Sequence, residues 1–163
     1  MQADKLRWKK KTAIDAPALK ALETAWRGWA LEDSLPRRDR FDPMDFPALL
    51  PWMILGEIAD KPNAIRPYDV LYRYIGTEFA HYFQAQSVTR MLLSDVGQPY
   101  AERWFAVTDA ATKAKAPCYF KGAPFGTDYE YIALEMLALP FARDGGEVGF
   151  VLSAFARTEE LLL

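Results

Sequence analysis

The sequence predicts an α+β domain with the element order β-β-α-α-α-β-β-β behind an N-terminal helix. Five short runs rich in apolar and aromatic residues are bounded by proline, glycine or aspartate, as strands are. Apolar residues recur at helical spacing in the N-terminal region and in the middle of the chain. A third observation is the pair Asp144-Gly145, which supplies the positive φ of a tight hairpin turn between the last two strands.

Composition places the chain among globular proteins of one domain, since 51% of its 163 residues are hydrophobic and 26% are charged. The formal net charge of −2 gives no reason to expect nucleic acid as a partner. No apolar run approaches the roughly 20 residues of a membrane span. The basic first residues are not followed by the apolar segment of a signal peptide. We therefore expect a cytoplasmic protein with no membrane partner.

The N-terminal region predicts a flexible basic tail over residues 1–14, followed by one domain over residues 15–163. Asp15 is predicted to cap a helix that has Pro17 in its first turn and runs to about Leu31.

An apolar stripe follows that helix, formed by Leu19, Leu22, Trp26 and Trp29. It can pack on the sheet of its own chain or on a second copy, and the two alternatives stay open. We expect a homodimer that uses these four residues, because they present more apolar surface than one edge of a small sheet needs.

The first two strands are predicted at 52–58 and 68–75, joined as a long-looped antiparallel hairpin after a proline-rich connector. Both faces of the second strand are apolar or aromatic, which is typical of a central strand. Gly76 ends it, and Thr77 is predicted to cap a short helix at 77–84.

One further helical turn is predicted at 90–94, and a longer helix is predicted to open at Pro99 and to end before Pro117. Its apolar stripe consists of Tyr100, Trp104, Val107 and Ala111. Three strands follow, at 117–123, 129–141 and 147–156.

An ordered set of short motifs resembles one family of bacterial single-domain PAS proteins. The motifs are Trp26-Arg27, Leu35-Pro36-x-Arg38, Asp42-Pro43-x-Asp45, Leu50-Pro51, Arg73-x-x-Gly76-Thr77, Ala116-Pro117, Leu139-Pro140-Phe141 and Asp144-Gly145. Together they cover nearly the whole chain past residue 17. The sequence departs from the family pattern at 84–89, where the usual glycine-containing turn has no glycine.

The resemblance implies a five-stranded antiparallel sheet with short helices on one face. It also implies a stand-alone sensory or interaction module that is not an enzyme, and that passes its signal to a partner protein or through self-association. The alternative is a small α+β enzyme of the hydrolase, isomerase or cyclase type with a cone-shaped pocket. Acids and His81 facing one cavity would favour the enzyme, whereas aromatic residues with Arg73 would favour the sensor.

A small-molecule pocket is predicted between the sheet and the helices at 77–84 and 99–113, with a solid core as the alternative. The candidate lining residues are Arg73, Tyr74, Phe79, Tyr82, Phe83, Trp104 and Phe120. Arg73 either forms a salt bridge with Asp45 or Glu57 or binds an anionic ligand.

The candidate cofactor and catalytic residues are few. His81 is the only histidine and lies outside the long helix that carries the ligand in haem-binding PAS domains, so haem is not expected. Cys118 is the only cysteine, which excludes a cysteine-based zinc site. It is predicted at a strand start, whereas light-sensing PAS domains carry their reactive cysteine on a helix, so flavin photochemistry is not expected. Paired-carboxylate catalysis would need Glu57, Asp69 and Glu135 to approach one another, and no catalytic motif accompanies them.

Overall fold

The computed structural model describes residues 8–30, 34–85 and 91–158. Its strands are β1 (Lys9–Lys11), β2 (Met53–Ala59), β3 (Asp69–Ile75), β4 (Cys118–Gly122), β5 (Ala133–Ala142) and β6 (Val148–Thr158). They form one antiparallel sheet of six strands in the order β1-β4-β5-β6-β2-β3. The predicted α+β class is confirmed, with six strands where the sequence predicts five.

The α-helices of the described residues are α1 (Pro17–Trp29), α2 (Thr77–Tyr82) and α3 (Tyr100–Ala114). Short 3₁₀ turns occur at Arg38–Arg40, Pro43–Asp45, Leu50–Trp52 and Leu93–Val96. None of the helices in the described part of the chain is long and apolar enough to cross a membrane.

Strands β2 and β3 form the predicted hairpin, pairing from Ile54 with Ile75 to Ala59 with Asp69. The predicted central position of β3 is wrong, because β3 lies at the edge of the sheet. The chain at 91–92 covers that edge: the amide of Tyr72 donates to the carbonyl of Met91 at 3.0 Å. This segment therefore protects the open edge of β3. The two apolar faces of β3 pack into the cores on the two sides of the sheet, with Tyr72 in one core and Tyr74 against the other.

Both faces of the sheet are covered, and all ten residues of β5 are buried. On one face the core contains α2 and α3 side chains such as Phe79 and Phe105. On the other face α1 and the connector at 34–52 pack against Leu137 and Leu139 of β5. The flanking α1 therefore occupies the face opposite to the short helices.

Helix α1 begins without a side-chain cap of its own. Its N-cap is Ala16 rather than the predicted Asp15, and Pro17 is the first helical residue. The buried carboxylate of Glu135 instead accepts the backbone amides of Asp15 and Ala16, each at 2.8 Å. A strand more than a hundred residues away thus supplies the anion that favours the start of this helix.

The apolar stripe of α1 packs on the sheet of its own chain, which is the first of the two alternatives. Leu19 and Leu22 have no exposed surface. The indole N–H of Trp26 donates to the carbonyl of Pro140 at 2.8 Å, while Trp29 packs beside Phe141. Leu19 and Leu22 therefore offer no surface to a second copy, and the expected homodimer stays a prediction that needs another interface.

The predicted flexible tail over residues 1–14 is wrong for Lys9–Lys11, which form strand β1. Residues 1–7 of the predicted tail lie outside the described residues. Strand β1 pairs with β4, as Lys9 with Lys121 and Lys11 with Tyr119. The indole of Trp8 lies against Gly122, where an added Cβ would come within 2.4 Å of the ring. The missing side chain at Gly122 thus makes room for Trp8 beside the core.

Gly76, at the corner between β3 and α2, touches the backbone of the connector. A Cβ at this position would lie 2.2 Å from the carbonyl oxygen of Pro51. The amide of Gly76 also donates to the carbonyl of Met53 at 2.7 Å. Gly76, rather than the predicted Thr77, is the N-cap of α2. The glycine of the Arg-x-x-Gly-Thr motif is therefore required by close approach of two backbone segments.

Replacing Gly76 by alanine is expected to lower the free energy of unfolding by about 3 kcal/mol, because backbone must move to admit the methyl group. Gly28→Ala is the matched control, since nothing lies within 4 Å of a Cβ there. In helix α1 that change should be neutral or stabilising by up to about 1 kcal/mol. Urea unfolding of both variants measures the difference. Equal stability of the two variants would contradict the close approach.

Candidate ligand site

A cavity of about 550 Å³ lies between the sheet and the helices. Strands β2 and β3 form its floor, α2 and α3 form its walls, and the segments at 91–96 and 125–127 complete it. Its lining residues are Ile54, Tyr72, Ile75, Phe79, Phe83, Gln84, Ala85, Met91, Leu93, Asp95, Val96, Tyr100, Arg103, Trp104, Phe125, Gly126 and Thr127. The volume falls within the range of about 300–1,000 Å³ that is typical of small-molecule sites.

An aromatic cluster forms one wall of the cavity. The rings of Phe79 and Phe83 stack with their centroids 4.6 Å apart, and each meets Trp104 edge to face, at 5.6 and 5.2 Å. Behind them, Phe155 of β6 and Trp8 close the cluster. These contacts fix the three rings that border the cavity, because each is held on several sides.

The candidate lining residues divide into two groups. Phe79, Phe83 and Trp104 line the cavity. Tyr74 does not, since its hydroxyl donates to the carbonyl of Leu50 at 2.8 Å. Neither Tyr82, which stacks on Trp52 at 5.2 Å, nor Phe120 is among the lining residues. The apolar part of the site could therefore be predicted from the stripes of α2 and α3, but not from β3.

Arg73 also lies away from the cavity. Its guanidinium donates to the carboxylate of Glu57 at 2.8 and 3.0 Å, and its side chain is 43% exposed. The contact with Glu57 raises the pKa of Arg73. Of the two roles predicted for Arg73, a salt bridge or the binding of an anionic ligand, the structure shows the salt bridge, and its partner is Glu57.

The cation that does line the cavity is Arg103, which the sequence reasoning missed. It is only 5% exposed, and its guanidinium carbon lies 5.0 Å from the ring centroids of both Phe83 and Trp104. It lies three residues after Tyr100 on α3, so it shares the stripe that begins at Tyr100. That spacing was the available signal, because residues at i and i+3 lie on one helix face.

The guanidinium of Arg103 is poorly satisfied by the protein. Its Nε has no hydrogen-bond partner among the described residues, and Nη1 reaches the carbonyl of Phe125 only at 3.5 Å. No described carboxylate lies within salt-bridge distance. Burial lowers the pKa of Arg103 to about 10. A shift of this size corresponds to a cost of the order of 3 kcal/mol for keeping the charge in the folded protein at neutral pH.

Other polar groups surround Arg103. Tyr72 is buried in the cavity floor, and burial, together with the charge of Asp69, raises the pKa of its hydroxyl. Tyr100 and Asp95 line the cavity from its exposed side. The cavity thus combines one buried cation and two phenol groups with a mainly apolar wall.

The mouth of the cavity is held by an amide–carboxylate pair. The side chain of Gln84 donates to Asp128 at 3.0 Å and accepts the backbone amide of Asp128 at 3.2 Å. Gln84 has a φ of 50°, a left-handed conformation that more often belongs to glycine. The glycine-free stretch at 84–89 therefore begins with a strained glutamine, while 86–90 lie outside the described residues.

The three acids considered for catalysis each have a separate structural contact. Glu57 pairs with Arg73, and Glu135 holds the start of α1. Asp69 accepts the amide and the hydroxyl of Ser94. They do not face one cavity, and the described residues contain no group of three or more metal-ligating side chains.

His81 and Cys118 also lie outside the cavity lining. His81 is exposed and contacts the rings of Tyr82 and Tyr129. Cys118 is buried at the start of β4, and its burial raises the pKa of its thiol. A raised pKa disfavours the reactive thiolate form at neutral pH.

The comparison with family models identifies the chain. A model described as a PAS domain matches residues 14–156. The chain belongs to the PAS domain family. No curated protein and no solved structure matches it. The resemblance drawn from the ordered motifs and the PAS-like fold are therefore confirmed for this PAS protein, with β1 as a sixth strand. PAS domains are generally sensory or interaction modules without enzymatic activity of their own.

Proposed function

We propose that this PAS protein is a sensory module that binds a small ligand in the cavity between the sheet and α2 and α3. The observation that carries the proposal is the cavity itself, about 550 Å³ lined by Phe79, Phe83 and Trp104. A domain whose aromatic residues served only as core would leave no such space. The separate structural contacts of Glu57, Asp69 and Glu135 favour binding over turnover.

The proposed signal leaves through another protein chain, either a signalling partner or a second copy in a homodimer. The proposed location is the cytoplasm. Ligand binding would act on α2 and α3 directly, because both helices contribute cavity walls. A ligand can shift an equilibrium only by its different affinity for two states, so the partner should bind the occupied and empty forms differently.

Native mass spectrometry of freshly purified protein tests ligand binding. A retained small molecule is expected on the wild type and lost from Trp104→Ala, because that ring lines the cavity. Truncation of Trp104 should also cost about 3–5 kcal/mol of stability. Trp29→Ala is the matched control, since Trp29 packs on the opposite face of the sheet and its loss should leave ligand retention intact. Destabilisation of both variants, with no small molecule ever detected on the wild type, would favour a solid core.

A further inference from the structure

We propose that the ligand of the cavity is an organic monocarboxylate, with its carboxylate on Arg103 and its apolar body against Phe79, Phe83 and Leu93. This inference rests on the ligand-sensing function proposed above and names the chemical class of the ligand. The cavity joins these groups, since all four residues line it.

The first argument is the unmet hydrogen-bonding capacity of a buried cation. A guanidinium has five N–H donors, and among the described residues Arg103 makes a single long contact, at 3.5 Å to the carbonyl of Phe125. Its Nε is buried and has no partner among the described residues. Arg66 and Arg73, by comparison, each donate to a carboxylate at 2.9 Å or less. No acid in the described ranges pairs with Arg103 as acids pair with these two arginines, and a ligand carboxylate would supply that partner.

The second argument is the fixed orientation of the guanidinium. Its carbon lies 5.0 Å from the ring centroids of Phe83 and Trp104, and the rings are themselves held in the aromatic cluster. Contact with two aromatic rings limits the positions of the planar fork. A carboxylate matches that fork with two parallel hydrogen bonds, and little conformational freedom is lost on binding.

The charged residues of the cavity favour a ligand with a single negative charge. Arg103 is the only cationic side chain among the described residues that line the cavity. Asp95, an exposed acid, lines the same cavity and would repel a second negative charge. The remaining wall is mainly aliphatic and aromatic. A single carboxylate with an apolar body fits this distribution, whereas a polyphosphate does not.

The test uses the full chain and three matched pairs of probes: octanoate with octan-1-ol, 4-phenylbutyrate with 4-phenylbutan-1-ol, and indole-3-acetate with tryptophol. Dissociation constants are measured by isothermal titration calorimetry at neutral pH. At least one carboxylate is expected to bind at least about tenfold more tightly than its alcohol, since a charge-assisted pair replaces a neutral contact.

Arg103→Met should reduce this preference to less than about threefold, because the cation is removed while the apolar wall remains. Arg103→Lys should retain part of the preference for the carboxylate over its alcohol, because lysine keeps the positive charge but lacks the planar fork of the guanidinium. Arg66→Met is the control and should leave the preference unchanged, since Arg66 pairs with Glu102 and Asp109 outside the cavity lining.

The other outcomes separate this inference from the function on which it rests. Alcohols that bind as tightly as the carboxylates would overturn the anion assignment and leave ligand sensing in place. A retained neutral molecule in native mass spectrometry would do the same. Binding of none of the six probes, with no molecule retained by the purified protein, would overturn both proposals.

Discussion

Replacing Leu22 by glutamate is expected to unfold the domain or to reduce its free energy of unfolding by about 4 kcal/mol or more. Leu22 has no exposed surface, and its side chain is part of the core where α1 packs on the sheet. A carboxylate there would lose its hydration without a cationic partner, and the apolar contacts of leucine would be lost as well. Circular dichroism during urea unfolding measures the effect.

Ala21→Glu is the matched control for this prediction. Ala21 is the preceding residue of α1 and is exposed, so the same substitution should change stability by less than about 0.5 kcal/mol. Light scattering on the same samples reports the oligomeric state. A folded monomeric Leu22→Glu variant beside a dimeric wild type would contradict the intramolecular stripe and would restore it as the interface between copies.

Replacing Arg103 by methionine is expected to stabilise the ligand-free protein by about 1–2 kcal/mol. Removing the buried charge should stabilise the folded protein by the order of 3 kcal/mol. The loss of the contacts with Phe83 and Trp104 should offset part of that stabilisation. Methionine keeps an apolar body of similar length. Thermal unfolding should show a melting temperature a few degrees higher, the opposite sign from most substitutions of buried residues.

The pH dependence follows from the pKa of Arg103, which burial lowers to about 10, well below the ordinary value of an arginine. Below pH 10 the side chain is charged in both the folded and unfolded states, so the whole cost is present. As the pH rises above 10, the folded protein loses this proton before the unfolded protein does, and the wild type recovers stability relative to the variant. The difference between the two proteins should therefore shrink only at strongly alkaline pH.

Arg66→Met is again the control. Arg66 pairs with Glu102 at 2.6 Å and with Asp109 at 2.9 Å, so its loss should lower stability by about 1 kcal/mol rather than raise it. A decrease in stability for Arg103→Met as large as that of Arg66→Met would show that Arg103 holds the fold together. Such a result would remove the reason for expecting a ligand carboxylate. A residue that costs stability in the empty protein is typical of a binding site.

Ligand binding and stability are linked in the wild type. A carboxylate that pairs with Arg103 should raise the melting temperature of the wild type by mass action, because it binds the folded state alone. The same carboxylate should raise that of Arg103→Met much less. The two proteins should therefore approach each other in stability as the carboxylate concentration increases.

The sequence by itself determined the features that depend on neighbouring residues. The hairpin turn at Arg143–Gly146 was predictable because the dipeptide Asp144-Gly145 favours positive φ, and Gly145 adopts a φ of 101°. The spacing of apolar residues predicted α1 and α3, and the ordered motifs predicted the PAS family. Three cavity residues, Phe79, Phe83 and Trp104, followed from helix periodicity alone.

Only the tertiary structure decided the features that join distant parts of the chain. Glu135 holds the start of α1 from a strand that follows it by more than a hundred residues, and β3 became an edge strand because β6 pairs with β2 on its inner side. The sequence pointed to Arg73 as the candidate anion binder, and the structure points to Arg103 instead. They differ because β2 places Glu57 beside Arg73, whereas no acid of the described residues lies within salt-bridge distance of Arg103. Burial then leaves the charge of Arg103 without a partner in that part of the chain.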